Sequence, residues 1–201
     1  MRPTCTGILL AAGQSTRFGS NKLLTPLPDG TSMAVACART LHVVLAHCIA
    51  VVEDSQSAIA RLLAEAGLQV IANPRAPEGM GTSIACGVAA SPGADGWVIA
   101  LADMPGIPLC VIQQVADGLV RGADIIAPVC RGQRGHPVGF AARHASALLA
   151  LNADSGARDI IAANRSTLEL IETSHSGVIF DIDTPAALPA GSPAVEPPHT
   201  A

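Results

Sequence analysis

The chain has 201 residues, 49% of them hydrophobic and 14% charged, a balance that excludes a disordered protein and gives one domain a core needing no disulfide or metal staple. The formal net charge is −4, no run of Lys or Arg occurs, and aromatics make up 2% of the chain. That excludes a nucleic-acid binder, which needs a basic footprint or stacking platforms, and leaves a small molecule as the expected partner.

Apolar runs alternate with helical patterns along the chain. Residues 6–11 (TGILLA) read as a first buried strand, and residues 32–45 place Met33, Ala36, Cys37, Leu41, Val44 and Leu45 on one helical face. Residues 47–53 form a second strand; Ile59, Leu62, Leu63 and Ala66 mark a helix stopped by Gly67. A third strand at 68–72, a helix at 82–90 and a fourth strand at 96–102 follow. Leu109, Ile112, Ala116 and Leu119 mark the next helix, before a fifth strand at 123–129. Such alternation predicts βαβ units and a mostly parallel sheet covered on both faces, a Rossmann-like three-layer α/β sandwich. The second half is less regular: a short strand near 137–141, helices at 143–151 and 156–164, and strands near 167–173 and 177–181, some expected to run antiparallel at the sheet edge. The folded domain is expected over 1–188, with a Pro- and Ala-rich tail at 189–201 expected to be disordered.

The six cysteines form no C-x-x-C pair, which fits free thiols in a reducing compartment better than a disulfide framework. His42, His47 and Cys48 match no common zinc spacing and read as ordinary helix and strand residues. The apolar run at 8–12 is too short for a signal peptide or membrane span. A cytoplasmic protein with no membrane partner is expected.

The segment Leu10-Ala11-Ala12-Gly13-Gln14-Ser15-Thr16-Arg17-Phe18-Gly19-Ser20-Asn21-Lys22 follows the first strand directly. Ligands of open α/β sheets sit outside the carboxyl ends of strands. Small residues at 11–13 let the backbone approach a ligand, and its N–H groups can face phosphate oxygens. Arg17 and Lys22 add two cations, as a triphosphate requires. The Walker A pattern fails, because five residues separate Gly13 from Gly19 and Ser20 stands where Lys is needed; the dinucleotide fingerprint fails at Ser15.

Asp103 directly follows the fourth strand, so its carboxylate faces the same crevice. It suits either a Mg²⁺ bridging phosphates or a turn cap. In Phe180-Asp181-Ile182-Asp183-Thr184-Pro185, Asp181 and Asp183 share one side of an extended chain. Two such carboxylates repel unless a cation lies near, though Asp183 or Thr184 could equally cap a short helix.

The first loop resembles the L-A-A-G-x-S-x-R-F-G-x-x-K signature of the MobA-like NTP transferases, and within them is most similar to the molybdenum cofactor cytidylyltransferases. The resemblance extends over 6–188 through A-D-M-P at Asp103, D-I-D-T-P at 181–185, N-P-x(4)-G-M-x-x-S at Asn73, G-H-P at His136 and D-x-G-A-R at 154–158. It implies that the 10–13 backbone, Arg17 and Lys22 contact the nucleotide phosphates, and that Arg17, Lys22 and Asp103 are catalytic. It further implies Mg²⁺ on Asp103 and Asp183, with Asp181 the fallback ligand. Asn73, Gly81 and Ser83 are implied to lie around the base, and His136 beside the acceptor. Ala12 stands where guanylyl-transferring relatives carry Gly, which points to CTP. The implied reaction is transfer of CMP to a phosphorylated acceptor, molybdopterin, with pyrophosphate leaving. A molybdoenzyme or its chaperone would then be a protein partner. The alternatives are the same chemistry on a sugar or polyol phosphate or another cofactor precursor, and a non-catalytic carrier of the molybdenum cofactor.

Overall fold

A computed structural model describes residues 4–13, 22–152 and 156–182. Among these residues, eight strands form one sheet. Cys5–Leu10 (β1), His47–Val52 (β2), Gln69–Ala72 (β3) and Gly96–Leu101 (β4) pair in parallel in the order β3-β2-β1-β4. Every residue of β1 is buried, as expected of a central strand covered on both faces.

Alternate residues feed two cores. Leu9 and Val52 point to the layer made by Met33–Val44 (α1), Ala58–Glu65 (α2) and Leu109–Val120 (α4). Ile8, Leu10, Ile49 and Val51 point to the opposite layer of Met80–Ala89 (α3), Ala145–Leu149 (α5) and Arg158–Ala163 (α6). The period of two in the strands thus produces the three layers. The single tryptophan, Trp97, is buried in the second core, with its Nε1–H on Ser91 Oγ at 2.9 Å.

The sheet is mostly parallel with antiparallel members, as expected, and one of these lies in its interior. Val138–Ala141 (β7) runs antiparallel between β4 and Ile125–Cys130 (β5). Gln133–Arg134 (β6) pairs antiparallel with the far end of β5. Leu168–Glu172 (β8) takes the other flank of β5 in parallel. β7 is therefore an antiparallel strand in the interior, β6 an antiparallel strand at the edge as expected, and β8 a parallel strand on the outer flank of β5. The segment expected as a strand at 177–181 begins instead as a 3-10 turn, Ser176–Val178. No helix among the described residues is long and apolar enough to cross a membrane. The tail at 189–201 lies outside the described residues.

Asp124 ties the irregular half to the sheet. Its carboxylate accepts from Thr167 Oγ1 at 2.6 Å and Arg143 Nε at 3.1 Å, and pairs with His144 Nε2 at 2.8 Å. Burial pushes this carboxyl up, but the hydrogen bonds from Thr167 and His144 and the neighbouring cations outweigh it and hold it below the usual range. A depressed carboxyl contributes stability above its unfolded pKa and loses it as pH falls through the folded one. Asp124→Asn is therefore expected to lower the melting temperature at pH 7 by roughly 2–8 °C, with the gap to wild type narrowing below about pH 4. Thermal melts of both proteins from neutral pH to pH 3 check this; a gap that stays constant would contradict it.

Candidate active site

After β3 the chain returns to the far flank of β1 to lay down β4. The topological switch point therefore lies between the carboxyl ends of β1 and β4, where open α/β sheets take ligands. The ladder runs one residue past each strand: Ala11 N–H donates to Val51 O at 2.8 Å and Ala102 N–H to Leu10 O at 3.1 Å. Residues 11–13 and 102–104 thus leave the sheet side by side.

Lys22 and Asp103 meet over this point. Lys22 Nζ donates to Asp103 Oδ2 at 2.8 Å, with the side chains 14% and 22% exposed. From below, the thiol of Cys37 on α1 donates to the Ala102 carbonyl at 3.4 Å. Burial, helped by the charge of Asp103, pushes the Cys37 thiol up to about 12, so it stays protonated and keeps donating to that turn.

The C-terminal segment closes on the same place. His136 N–H donates to Val178 O at 2.8 Å, and Ile182 N–H to Asp103 O at 3.0 Å. Residue 182 therefore lies against the metal-candidate turn, with Asp181 lining the adjoining cavity. Asp183 is the next residue in the chain and lies outside the described residues, as do Arg17 and the Asp154 and Ser155 of the D-x-G-A-R segment. Among the described residues, no group of three or more His, Cys, Asp or Glu could hold a metal. Mg²⁺ needs only one or two carboxylates plus substrate oxygens. Asp103, already holding an ammonium in this position, fits that demand.

Two cavities adjoin at Leu10, Met80 and Leu101. One, of about 330 Å³, is lined by Ala12, Gly13, Pro77, Ser83 and Asp103 among others. The other, of about 400 Å³, is lined by Arg134, His136, Phe140, Arg158 and Asp181 among others. Arg134 is shifted down from its ordinary range, by burial first and then by the charge of Arg158, so two guanidinium groups lie within electrostatic reach here. Burial holds the His136 imidazole down to about 4, with Arg134 pushing the same way and Asp103 and the Ile99 backbone opposing. The ring is neutral at pH 7, and among the described residues its buried Nδ1 has no hydrogen-bond partner.

Asn73 lies behind the first cavity, buried. Its Nδ2 donates to Thr82 Oγ1 at 2.9 Å and to Ser83 Oγ at 3.0 Å, and its Oδ1 accepts Arg75 N–H at 3.1 Å. Gly79, at φ 131°, is the N-cap of α3 and brings no side-chain cap to the helix. Gly81, also buried, sits in the first turn of that helix.

Leu10, Ala12, Gly13, Ser83 and Asp103 thus meet around one cavity, and His136 stands in its neighbour. Ala11 and Gly81 are buried beside them without lining either one. Arg134 and Arg158 were not among the site residues expected from sequence. The signal for Arg134 was a cation two positions before His136.

This is an open α/β protein with a candidate ligand crevice at the strand-order switch and a Lys–Asp pair at its floor. The pattern that defines the MobA-like NTP transferase domain matches residues 7–168; the chain belongs to that family. It is 29% identical over 197 residues to the purine catabolism protein PucB of Bacillus subtilis (strain 168), covering 91% of this chain and 93% of that one. It is also 29% identical over 194 residues to the nicotine blue oxidoreductase of Paenarthrobacter nicotinovorans, covering 90% and 93%. The crystal structure of Rv0371c from Mycobacterium tuberculosis H37Rv has the same fold, with a TM-score of 0.80 at 23% identity over 93% of this chain and 96% of that one. That protein has also been crystallised with manganese, and the complex matches with a TM-score of 0.70 over 85% of this chain and 88% of that one.

Proposed function

We propose that this protein is a Mg²⁺-dependent nucleotidyltransferase that moves CMP from CTP to a phosphorylated acceptor, molybdopterin, and releases pyrophosphate. The observation that carries the reading is the pair of adjoining cavities. One has Gly13, Lys22 and Asp103 at its side for a nucleoside triphosphate. The other has Arg134 and Arg158 for an anionic acceptor. The shared wall of Leu10, Met80 and Leu101 puts the two ligands next to each other, as a direct transfer requires.

The acceptor's phosphate oxygen attacks the α-phosphorus of the NTP, a new P–O bond forms, and the bond to pyrophosphate breaks. Lys22 and Arg17 neutralise the charge that builds on the leaving pyrophosphate. Asp103, with Asp183 or Asp181, would hold Mg²⁺, which when bound neutralises and orients phosphate oxygens. Arg134 and Arg158 hold the acceptor anion, and neutral His136 offers it a hydrogen bond rather than a charge. The CTP preference rests on Ala12, which lines the nucleotide cavity. Manganese in the mycobacterial protein of this fold supports a divalent cation. The oxidoreductase named among the relatives has no counterpart here in a dinucleotide fingerprint, since Ser15 stands where its second Gly is needed.

The test is pyrophosphate release by the purified protein with Mg²⁺, each NTP in turn, and molybdopterin, sugar phosphates and polyol phosphates as acceptors. Release with CTP and molybdopterin above all other pairs supports the proposal. Release with another acceptor moves it to that substrate. Tight cofactor binding without release under any condition would make the protein a carrier.

A further inference from the structure

We infer that the amino-terminal end of the sheet carries a second binding site, for a small organic ammonium ion, with Thr6 as its buried hydrogen-bond acceptor and His47 and Gln69 beside it. The site is independent of the nucleotide reading, because it lies at the opposite end of the strands from Asp103.

The strands show where it is. Ile8 and Leu10 of β1, Ile49 and Val51 of β2 and Ile71 of β3 face the α3 layer. The period of two carries that same face down to Thr4 and Thr6, to His47 and to Gln69. The register sets Thr6 beside His47 and Gln69 beside Ile49. The face thus turns from apolar to polar near the end of α3. A cavity of about 420 Å³ occupies this place, lined by these four polar residues and Ser91 among others. It shares no lining residue with either active-site cavity.

Some of its polar groups are already engaged. Thr4 donates to Asp95 Oδ2 twice, from its backbone N–H at 2.7 Å and from Oγ1 at 3.2 Å. Ser91 Oγ accepts the Trp97 indole N–H at 2.9 Å and donates to the Gly87 carbonyl at 3.0 Å. Thr6 differs. It is 7% exposed and lines the cavity, and among the described residues its hydroxyl meets no partner. A buried hydroxyl left unpaired is destabilising, so a ligand in the cavity would supply what the chain does not. His47 and Gln69, both exposed, also bond to no other described residue.

Charge decides the class of ligand. No Lys, Arg, Asp or Glu lines the cavity, so nothing there neutralises a phosphate or a carboxylate. Three helices end at it instead: Ala46 follows the C-cap of α1, Gly67 follows that of α2, and Ala90 is that of α3. The carboxyl end of a helix carries about half a negative charge. Asp95, bonded to Thr4, adds a carboxylate at the rim. The field therefore favours a cation. Among the described residues no cluster of His, Cys, Asp or Glu could hold a metal, and the cavity is far larger than a bare ion, so the cation is organic. An ammonium group only donates. Thr6 Oγ1, the Gln69 side-chain oxygen and a lone-pair nitrogen of His47 all accept.

The test follows amide chemical shifts of the full-length protein by two-dimensional NMR, at constant ionic strength, on titration with diaminobutane or with its neutral counterpart butanediol. Saturable shifts at Thr6, His47 and Gln69 are expected with diaminobutane and none with butanediol. Thr6→Val keeps the shape of the side chain without its hydroxyl and is expected to weaken binding about tenfold. Gln69→Lys sets a cation at the exposed rim and is expected to weaken it by at least as much. Shifts that fail to appear at these residues, or that centre on the Asp103 turn, would overturn the site. Butanediol binding as well as diaminobutane would make this a neutral polar pocket and overturn the ammonium assignment. An unchanged Kd in either variant would overturn it as well. Should Thr6→Val fail to fold, Gln69→Lys decides alone.

Discussion

Asp103→Asn is expected to lower turnover by about a hundredfold to a thousandfold while leaving the protein folded. The substitution keeps the size of the side chain and an oxygen for the Lys22 Nζ that now sits 2.8 Å away. It removes the charge. A neutral amide cannot neutralise a divalent cation, so the cation site proposed at the end of β4 would lose a carboxylate ligand. The pair is partly solvated, at 14% and 22% side-chain exposure, and such ion pairs contribute little to stability, about 0–1 kcal/mol. The melting temperature should therefore move by no more than about 4 °C. Steady-state kinetics against a Mg²⁺ series, paired with thermal melts, check this. Near-wild-type kcat in the variant would remove Asp103 from the chemistry, and a collapse of the fold would make it a structural residue.

Gly177→Ala is expected to cut activity about a hundredfold with a smaller effect on stability. A Cβ at position 177 would land on the carbonyl of Gly106, which is backbone and cannot swing aside. Gly106 belongs to the turn that follows Asp103, and residue 177 opens the segment whose Ile182 N–H bonds the Asp103 carbonyl at 3.0 Å. The added methyl group must push these two strips of chain apart. Overpacking of this kind costs about 1–3 kcal/mol, or roughly 3–10 °C in a domain of this size. Displacing Asp181 and its neighbours by about 1 Å relative to Asp103 costs catalysis about a hundredfold. Gly93→Ala, where an added Cβ meets nothing within 4 Å, is the control and should match wild type in both measurements. Full activity in Gly177→Ala would show that the C-terminal segment is not part of the site.

The sequence was most informative where one local rule decides the outcome. The buried strand Cys5–Leu10, the Gly67 stop after α2, and the carboxylate placed after β4 each follow from a few adjacent residues, and each stands as expected. Pairing direction is a different matter. Val138–Ala141 is four residues long, and nothing in V-G-F-A says that it will slip antiparallel between β4 and β5. That choice is made by tertiary packing, and only the register reveals it. The site divides along the same line. Asp103 and Gly13 were legible because a strand end fixes where they point. The position of Asn73 was legible too, but its partners lie nine and ten residues away on α3, so only the folded chain reveals that its polar atoms are spent. Arg134 and Arg158 come together from opposite sides of the irregular half. No spacing rule links two residues across a loop, a strand and a helix.

In the proposed reaction the α-phosphate moves to the acceptor. The most direct test supplies the protein with Mg²⁺, molybdopterin and CTP labelled at either the α- or the γ-phosphorus, and follows where each label goes. The α-label should appear in the molybdopterin product and the γ-label in pyrophosphate. Transfer of the γ-label to the acceptor, or molybdopterin recovered unlabelled with both preparations, would contradict transfer of CMP to this acceptor.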